Sequence, residues 1–392
     1  MKITRRAFAI LLALSAPLFI VSAAQNPHKA TAKKSQYLAY VGTYTTKKAS
    51  KGIYVYRFDA ATGQLTSVGL AAESTDPSFV AAHPSGKYLY AVNEVGNYDG
   101  KKSGAVSAFA IDHKSGRLTL LNQVASGGAD PCYVSLDKTG KHVLVANYSG
   151  GSVAVFPVLK DGRLGEASAF VQHQGSGANK ERQEGPHAHW IQTSPDNRLA
   201  AVSDLGLDEL VLYRFDAAKG SLVPNDPPFV KVSPGSGPRH AAFHPNGKFV
   251  YVLNEMQSTV VVFSYDPSTA TLKTLQQLST LPKDFTGQND TAELAVHPSG
   301  KFLYASNRGH DSIAIFSIDS VKGTLTPTGH VATGGKTPRN FAIDPTGKYL
   351  LAANQASDDI VIFRINLVTG NLTRTGQVVE IPSPVDVAFV AE

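Results

Sequence analysis

His187, His189, Arg239, Glu255 and Arg308 are side chains of the kinds that move protons and hold anions. A carboxylate or a neutral imidazole within hydrogen-bonding reach of a water can take its proton. An arginine fork fits a carboxylate or phosphate, and it can hold the charge that develops on an oxygen. His187 and His189 are two residues apart, so an extended strand puts both on one face. The other members lie far apart in the chain, and only tertiary structure could unite them. Arg339, Asn340, His240, Glu293, Asp204 and Gln355 join the set as candidate ligand contacts, for a reason that comes from the elements carrying them.

Those elements are a repeat. The segment DPSFVAAHPSGKYLYAVNE (76–94) returns as DPCYVSLDKTGKHVLVANY (130–148), GPRHAAFHPNGKFVYVLNE (237–255), TAELAVHPSGKFLYASNR (291–308) and TPRNFAIDPTGKYLLAANQ (337–355). A degenerate copy, HAHWIQTSPDNRLAAVSDL, covers 187–205. A period of about fifty residues built from short strands and glycine turns means a β-propeller. Each copy reads as four strands. QYLAYVGTYT (36–45) is a second strand with nothing before it, and SPVDVAFVAE (383–392) is a first strand with nothing after it. Paired, they make one blade from both termini. The expected fold is therefore all-β, a seven-bladed propeller over 36–392, and closure removes the exposed sheet edges.

In a propeller the first strand of each blade lines the central channel. Aligned, the first strands start with Ser78, Cys132, His189, Arg239, Ala292, Arg339 and Val385. One step further come Phe79, Tyr133, Trp190, His240, Glu293, Asn340 and Asp386. The second strands end in Asn93, Asn147, Asp204, Asn254, Asn307 and Asn354, followed by Glu94, Tyr148, Leu205, Glu255, Arg308 and Gln355. What recurs in every copy reads as structure: the terminal Asn or Asp as a backbone partner, His83, His244 and His297 as turn residues, and the third-strand aromatics as inter-blade core. What varies at equivalent mouth positions reads as chemistry. Cys132 reads as a small channel-lining residue and Trp190 as packing. The charged cluster reads either as an internal ion-pair network, Arg239 with Glu255 and Arg308 with Glu293, or as a ligand site, which its cost when unused favours. Repeated basic groups suggest a small anionic or carbonyl-rich ligand and argue against a metal; no cofactor is expected. The long polar insertion 172–185 is a candidate functional loop.

The N-terminus reads as an export signal over 1–24, with Thr4-Arg5-Arg6-Ala7-Phe8 ahead of an apolar run, followed by a polar linker over 25–35. The paired arginines suit a twin-arginine leader or a Sec leader that happens to contain them. Without Lys2, Arg5 and Arg6 the 37 basic residues become 34 against 31 acidic ones, too small an excess for a nucleic-acid footprint. A single cysteine excludes an intrachain disulfide. The expectation is an exported monomer, periplasmic or secreted, with no nucleic-acid partner and no membrane attachment once the leader is cut.

ERQEGPHAHW (181–190), SDLGLD (203–208), GSGPRH (235–240), Asn254-Glu255, SNR (306–308) and TPRN (337–340) give the chain a family likeness. It resembles the seven-bladed propeller lactonases, which include bacterial 6-phosphogluconolactonase of the cycloisomerase type and fungal carboxy-cis,cis-muconate cyclase. The resemblance spans about residues 36–392. It implies lactone hydrolysis without a cofactor, with His187 or His189, Arg239, Glu255 and Arg308 as the catalytic group. The substrate implied is 6-phosphoglucono-1,5-lactone or an unphosphorylated relative. The export signal departs from a cytosolic sugar phosphate. Two other readings are a lactonising cyclase using the same residues and a non-catalytic propeller that binds a glycan or protein.

Overall fold

The computed structural model describes residues 35–46 and 49–392, so the leader over 1–24 and nearly all of the linker lie outside the described residues. The described residues form 28 strands in seven antiparallel four-stranded sheets. We number the blades by their first strands: Val80–Ala82 opens blade 1, Pro131–Leu136 blade 2, Ala188–Thr193 blade 3 and Pro238–Phe243 blade 4. Asp290–Val296 opens blade 5, Pro338–Ile343 blade 6 and Pro384–Ala391 blade 7. Blade 7 is the closing one. Its first strand pairs with Gln36–Thr43 from the other end of the chain, in a register that sets Tyr37 against Ala391.

The blades adhere through apolar faces. The third-strand aromatics Phe109, Phe156, Tyr213, Phe263, Phe316 and Phe363 are all buried, each among residues of a neighbouring blade. Buried tyrosines add a polar lock: Tyr40, Tyr90, Tyr251 and Tyr304 each donate to the carbonyl of a turn glycine in the next blade, at 2.8–3.0 Å. The repeated histidines do the same at the other turn. His83, His244 and His297 place Nε2 on the carbonyls of Gly140, Gly300 and Gly347 at 2.8–3.0 Å. The terminal Asn residues bond backbone and neighbouring side chains, as Asn147 does to Ser126 O and Ser152 Oγ. Repetition thus marks residues that weld the ring, leaving the mouth free to vary.

Candidate active site

Each channel strand starts with a backbone irregularity. Asp130, Gly237 and Thr337 have φ of 52°, 64° and 59°, and each is followed by proline. A Cβ on Gly237 would come within 3.1 Å of Leu205 and 3.2 Å of Met256 in a left-handed backbone, so a side chain there would press on both neighbours. The ladder then skips one residue. Register shifts between Pro131 and Tyr133, Ala188 and Trp190, Pro238 and His240, and Pro338 and Asn340 leave Cys132, His189, Arg239 and Arg339 out of the pairing. Such bulges re-aim a side chain. Here they present those four residues to cavities at the channel mouth.

Glu255, one residue past the second strand of blade 4, is the hub of a guanidinium cluster. Its Oε2 lies 2.9 Å from Arg239 Nε and 2.9 Å from Arg308 Nη2, and Arg182 Nη2 donates to Oε1 at 2.7 Å. Burial alone would raise the Glu255 pKa, but Arg308, Arg239 and Arg182 outweigh it and hold the carboxyl down to about 2. Arg239 is 2% exposed, and burial together with Arg308 and Arg339 pushes its pKa down to about 10, so it stays charged at neutral pH. The backbone fixes the guanidiniums too: Arg308 Nη2 donates to Thr291 O at 2.7 Å, and Arg239 Nη1 to Ala292 O. Arg239 Nε and Arg308 Nε are buried with no aligned acceptor. Three cations on one anion leave the cluster net positive.

His189 faces the same cavity, whose volume is about 280 Å3. Burial, then Arg239, His240 and Arg339, hold its pKa well below the ordinary histidine value, so the imidazole is neutral at pH 7. Its Nδ1 lies 3.6 Å from Cys132 Sγ. The Cys132 thiol is itself pushed up by burial, and a protonated thiol is a poor nucleophile. His187 lies outside the strand. Its ring stacks on Tyr148 at 4.6 Å, its Nδ1 sits 3.1 Å from Tyr148 O, and its Nε2 is 3.3 Å from Glu184.

A wider vestibule of about 630 Å3 adjoins this cavity, bordered by Asp76, Asp130, Gln355 and Ser383, with Tyr44 at its wall. A pit of about 10 Å3, room for one water, lies between Arg239, His240 and Asn340. Glu94 and Arg339 border all three spaces. Deeper in the channel His240 Nδ1 lies 3.2 Å from Glu293 Oε2, to which Asn340 Nδ2 donates at 2.7 Å. Burial raises the Glu293 pKa to about 7, against the Leu294 N–H, Arg239 and Asn340.

This arrangement can hold a carbonyl or carboxylate oxygen on the guanidiniums and move a proton at His189. The family model described as "Lactonase, 7-bladed beta-propeller" matches residues 38–389. The chain belongs to the seven-bladed β-propeller lactonase family. It is 38% identical to the 6-phosphogluconolactonase of Bacillus subtilis over 78% of this chain and 84% of the relative. A protein of Formosa agariphila named 6-phosphogluconolactonase is also 38% identical, over 77% of this chain and 84% of its own. The solved structure of the periplasmic gluconolactonase of Pseudomonas aeruginosa superposes with a TM-score of 0.85 at 37% identity, covering 91% of this chain and 99% of that one.

In this family member the structure unites His189, Glu255, Arg308 and Arg339 around one cavity, while Arg239 pairs with Glu255 and borders the pit. Three expectations need correction. His187 does not share a face with His189, because it precedes the strand and His189 is the bulged residue. Arg308 pairs with Glu255 and not with Glu293, since a register shift between Thr291 and Leu294 puts Glu293 on the His240 and Asn340 side of the channel. Asp204 does not line the cavity. It is fully buried, accepts from the N–H groups of His187 and Gly206 at 2.8 and 3.0 Å, and sits 2.6 Å from His173 Nδ1. Its oxygens hold the turn that carries His187. Gln355 borders the vestibule, His240 and Asn340 the pit. Residue reasoning missed Arg182, Tyr44, Glu94 and Asp290. Arg182 lay inside the insertion singled out by its length, and Glu94 follows an Asn just as Glu255 does.

Proposed function

We propose that the protein hydrolyses a small, unphosphorylated sugar lactone of the glucono-1,5-lactone kind, outside the cytoplasm. One observation carries the hydrolytic reading: the Glu255 carboxylate fixes Arg308 on one cavity with a neutral histidine and fixes Arg239 beside the pit. The lactone carbonyl oxygen would sit on Arg239 and Arg308, which stabilise the oxyanion of the tetrahedral intermediate. Glu255 keeps those guanidiniums in place. His189 is the group placed to take the proton of the attacking water.

The vestibule supports a neutral polyol over a phosphate. It offers Asp76, Asp130, Glu94, Gln355 and Ser383 to hydroxyl groups, and the one cation among the described residues that line it, Arg339, is engaged with Tyr44 through a 3.0 Å hydrogen bond and a 5.4 Å stacking contact. The leader-like N-terminus and the periplasmic gluconolactonase among the relatives support export, where sugar phosphates are not the expected substrates. The test is hydrolysis of freshly prepared glucono-1,5-lactone and its 6-phosphate, with the spontaneous rate subtracted. The unphosphorylated lactone should be preferred, and Arg239→Ala should lower kcat by roughly 100-fold or more. Preference for the phosphate ester would refute the substrate assignment, and turnover of neither lactone would refute hydrolysis.

A further inference from the structure

We propose that Glu94 is a second catalytic carboxyl of this site, the acid that protonates the ring oxygen as the lactone opens; this rests on the lactonase reading above. Glu94 and Glu255 are the same residue of the repeat. Each follows the terminal Asn of a second strand, in blade 1 and blade 4, and both face the cavity of about 280 Å3. Their surroundings are opposite. Glu255 is gripped by three arginines. Glu94 is held by hydroxyl groups: Tyr44 OH lies 2.8 Å from both carboxyl oxygens, and Ser78 Oγ bonds Oε2. The nearest cation, Arg339, gives its hydrogen bond to Tyr44. Asp130 and Cys132 complete the surroundings of Glu94.

Burial raises the Glu94 pKa, against Arg339, Ser78 and Tyr44, and Asp130 raises it further. Two carboxyls on one cavity whose environments push them in opposite directions suit a division of work between an ionised carboxylate and a proton donor. Position agrees with this. Glu255 borders only the guanidinium cavity, whereas Glu94 borders that cavity, the pit and the vestibule. Glu94 shares the pit with Arg239 and the larger cavity with Arg308 and His189, so a lactone held on those guanidiniums would lie in a space that Glu94 borders.

The step balances. Water oxygen bonds to the carbonyl carbon while a water proton passes to the His189 ring. The acyl carbon to ring-oxygen bond breaks, its electron pair stays on the ring oxygen, and that oxygen takes the Glu94 proton. The product is the hydroxy acid. The proton on His189 equals the one Glu94 has lost, and exchange through solvent in the vestibule restores both groups.

The test is the pH profile of kcat on glucono-1,5-lactone for the wild type, Glu94→Gln and Glu94→Asp. The wild type should lose rate as pH rises, because the acid deprotonates. Glu94→Gln should lower kcat by roughly 100-fold and abolish that alkaline fall, and Glu94→Asp should restore part of both. A kcat within about 3-fold of wild type, or a reduced kcat with the alkaline fall intact, overturns the proposal. Should Glu94→Gln not fold, Tyr44→Phe decides: removing a donor that lowers the Glu94 pKa should move the alkaline fall to higher pH, and an unmoved limb overturns the assignment. A wild type inactive on every lactone overturns the lactonase reading together with this one, whereas an active wild type with an indifferent Glu94 overturns this one alone.

Discussion

Replacing Glu255 by glutamine should cost stability as well as rate, with a signature in pH. The carboxyl moves from an ordinary value of 4.5 to about 2 in the folded protein. Each unit is worth about 1.4 kcal/mol, so ionised Glu255 contributes about 3 kcal/mol at pH 7. The sign follows from the direction of the shift. A depressed carboxyl stabilises above its unfolded pKa, and that stabilisation is lost as pH falls from about 4.5 through about 2. Glutamine also strands the guanidiniums, above all Arg239 at 2% exposure. Breaking a buried pair from one side costs about 3–5 kcal/mol. Urea unfolding of wild type and Glu255→Gln at pH 7 should therefore differ by about 3–5 kcal/mol, and the gap should shrink by about 2 kcal/mol at pH 3. A gap below about 1 kcal/mol at pH 7, or one equal at both pH values, would refute the claim that this carboxylate anchors the arginines.

Two further outcomes follow from buried groups. Glu293 is raised to about 7, so its stabilisation is complete below pH 4.5 and lost as pH rises through 7. Relative to Glu293→Gln, the wild type should lose about 2 kcal/mol between pH 5 and pH 8 in urea titrations, and parallel pH profiles would refute the shift. Cys132→Ala should keep kcat within about 3-fold, and the native thiol should resist iodoacetamide at pH 8, because burial keeps it protonated; rapid labelling or loss of turnover would give the sulfur a role in the chemistry.

Most of the architecture was legible in the sequence because a propeller writes the same requirement repeatedly. His83, His244 and His297 could be set aside as structural from repetition alone, and each does reach a glycine carbonyl across a blade boundary. Arg239, Arg308 and Arg339 were legible by the opposite logic, as charges at mouth positions whose residue changes from copy to copy. Local geometry was harder. An ideal strand puts His187 beside His189, but the skipped pairing at His189 separates them, and no composition rule announces a bulge in one strand. In blades 2, 4 and 6 a Pro after a left-handed residue stands just before the skipped position, but blade 3 has no such pair ahead of His189.

The division of labour between Glu94 and Glu255 shows where sequence reading has to give way to structure. Both are the Glu of an Asn-Glu pair at one place in the repeat, so the chain offers no reason to treat them differently. What separates them arrives from elsewhere: Arg182 from the insertion between blades 2 and 3, Arg308 from blade 5, and Tyr44 from just past the N-terminal strand of blade 7. A single guanidinium can lower a carboxyl by about one to three pKa units; three of them outweigh burial at Glu255, whereas at Glu94 burial prevails over Arg339, Ser78 and Tyr44. Seven-fold repetition therefore builds equivalent backbone sockets, and the non-repeated side chains that reach across them set which carboxyl stays ionised and which carries the proton.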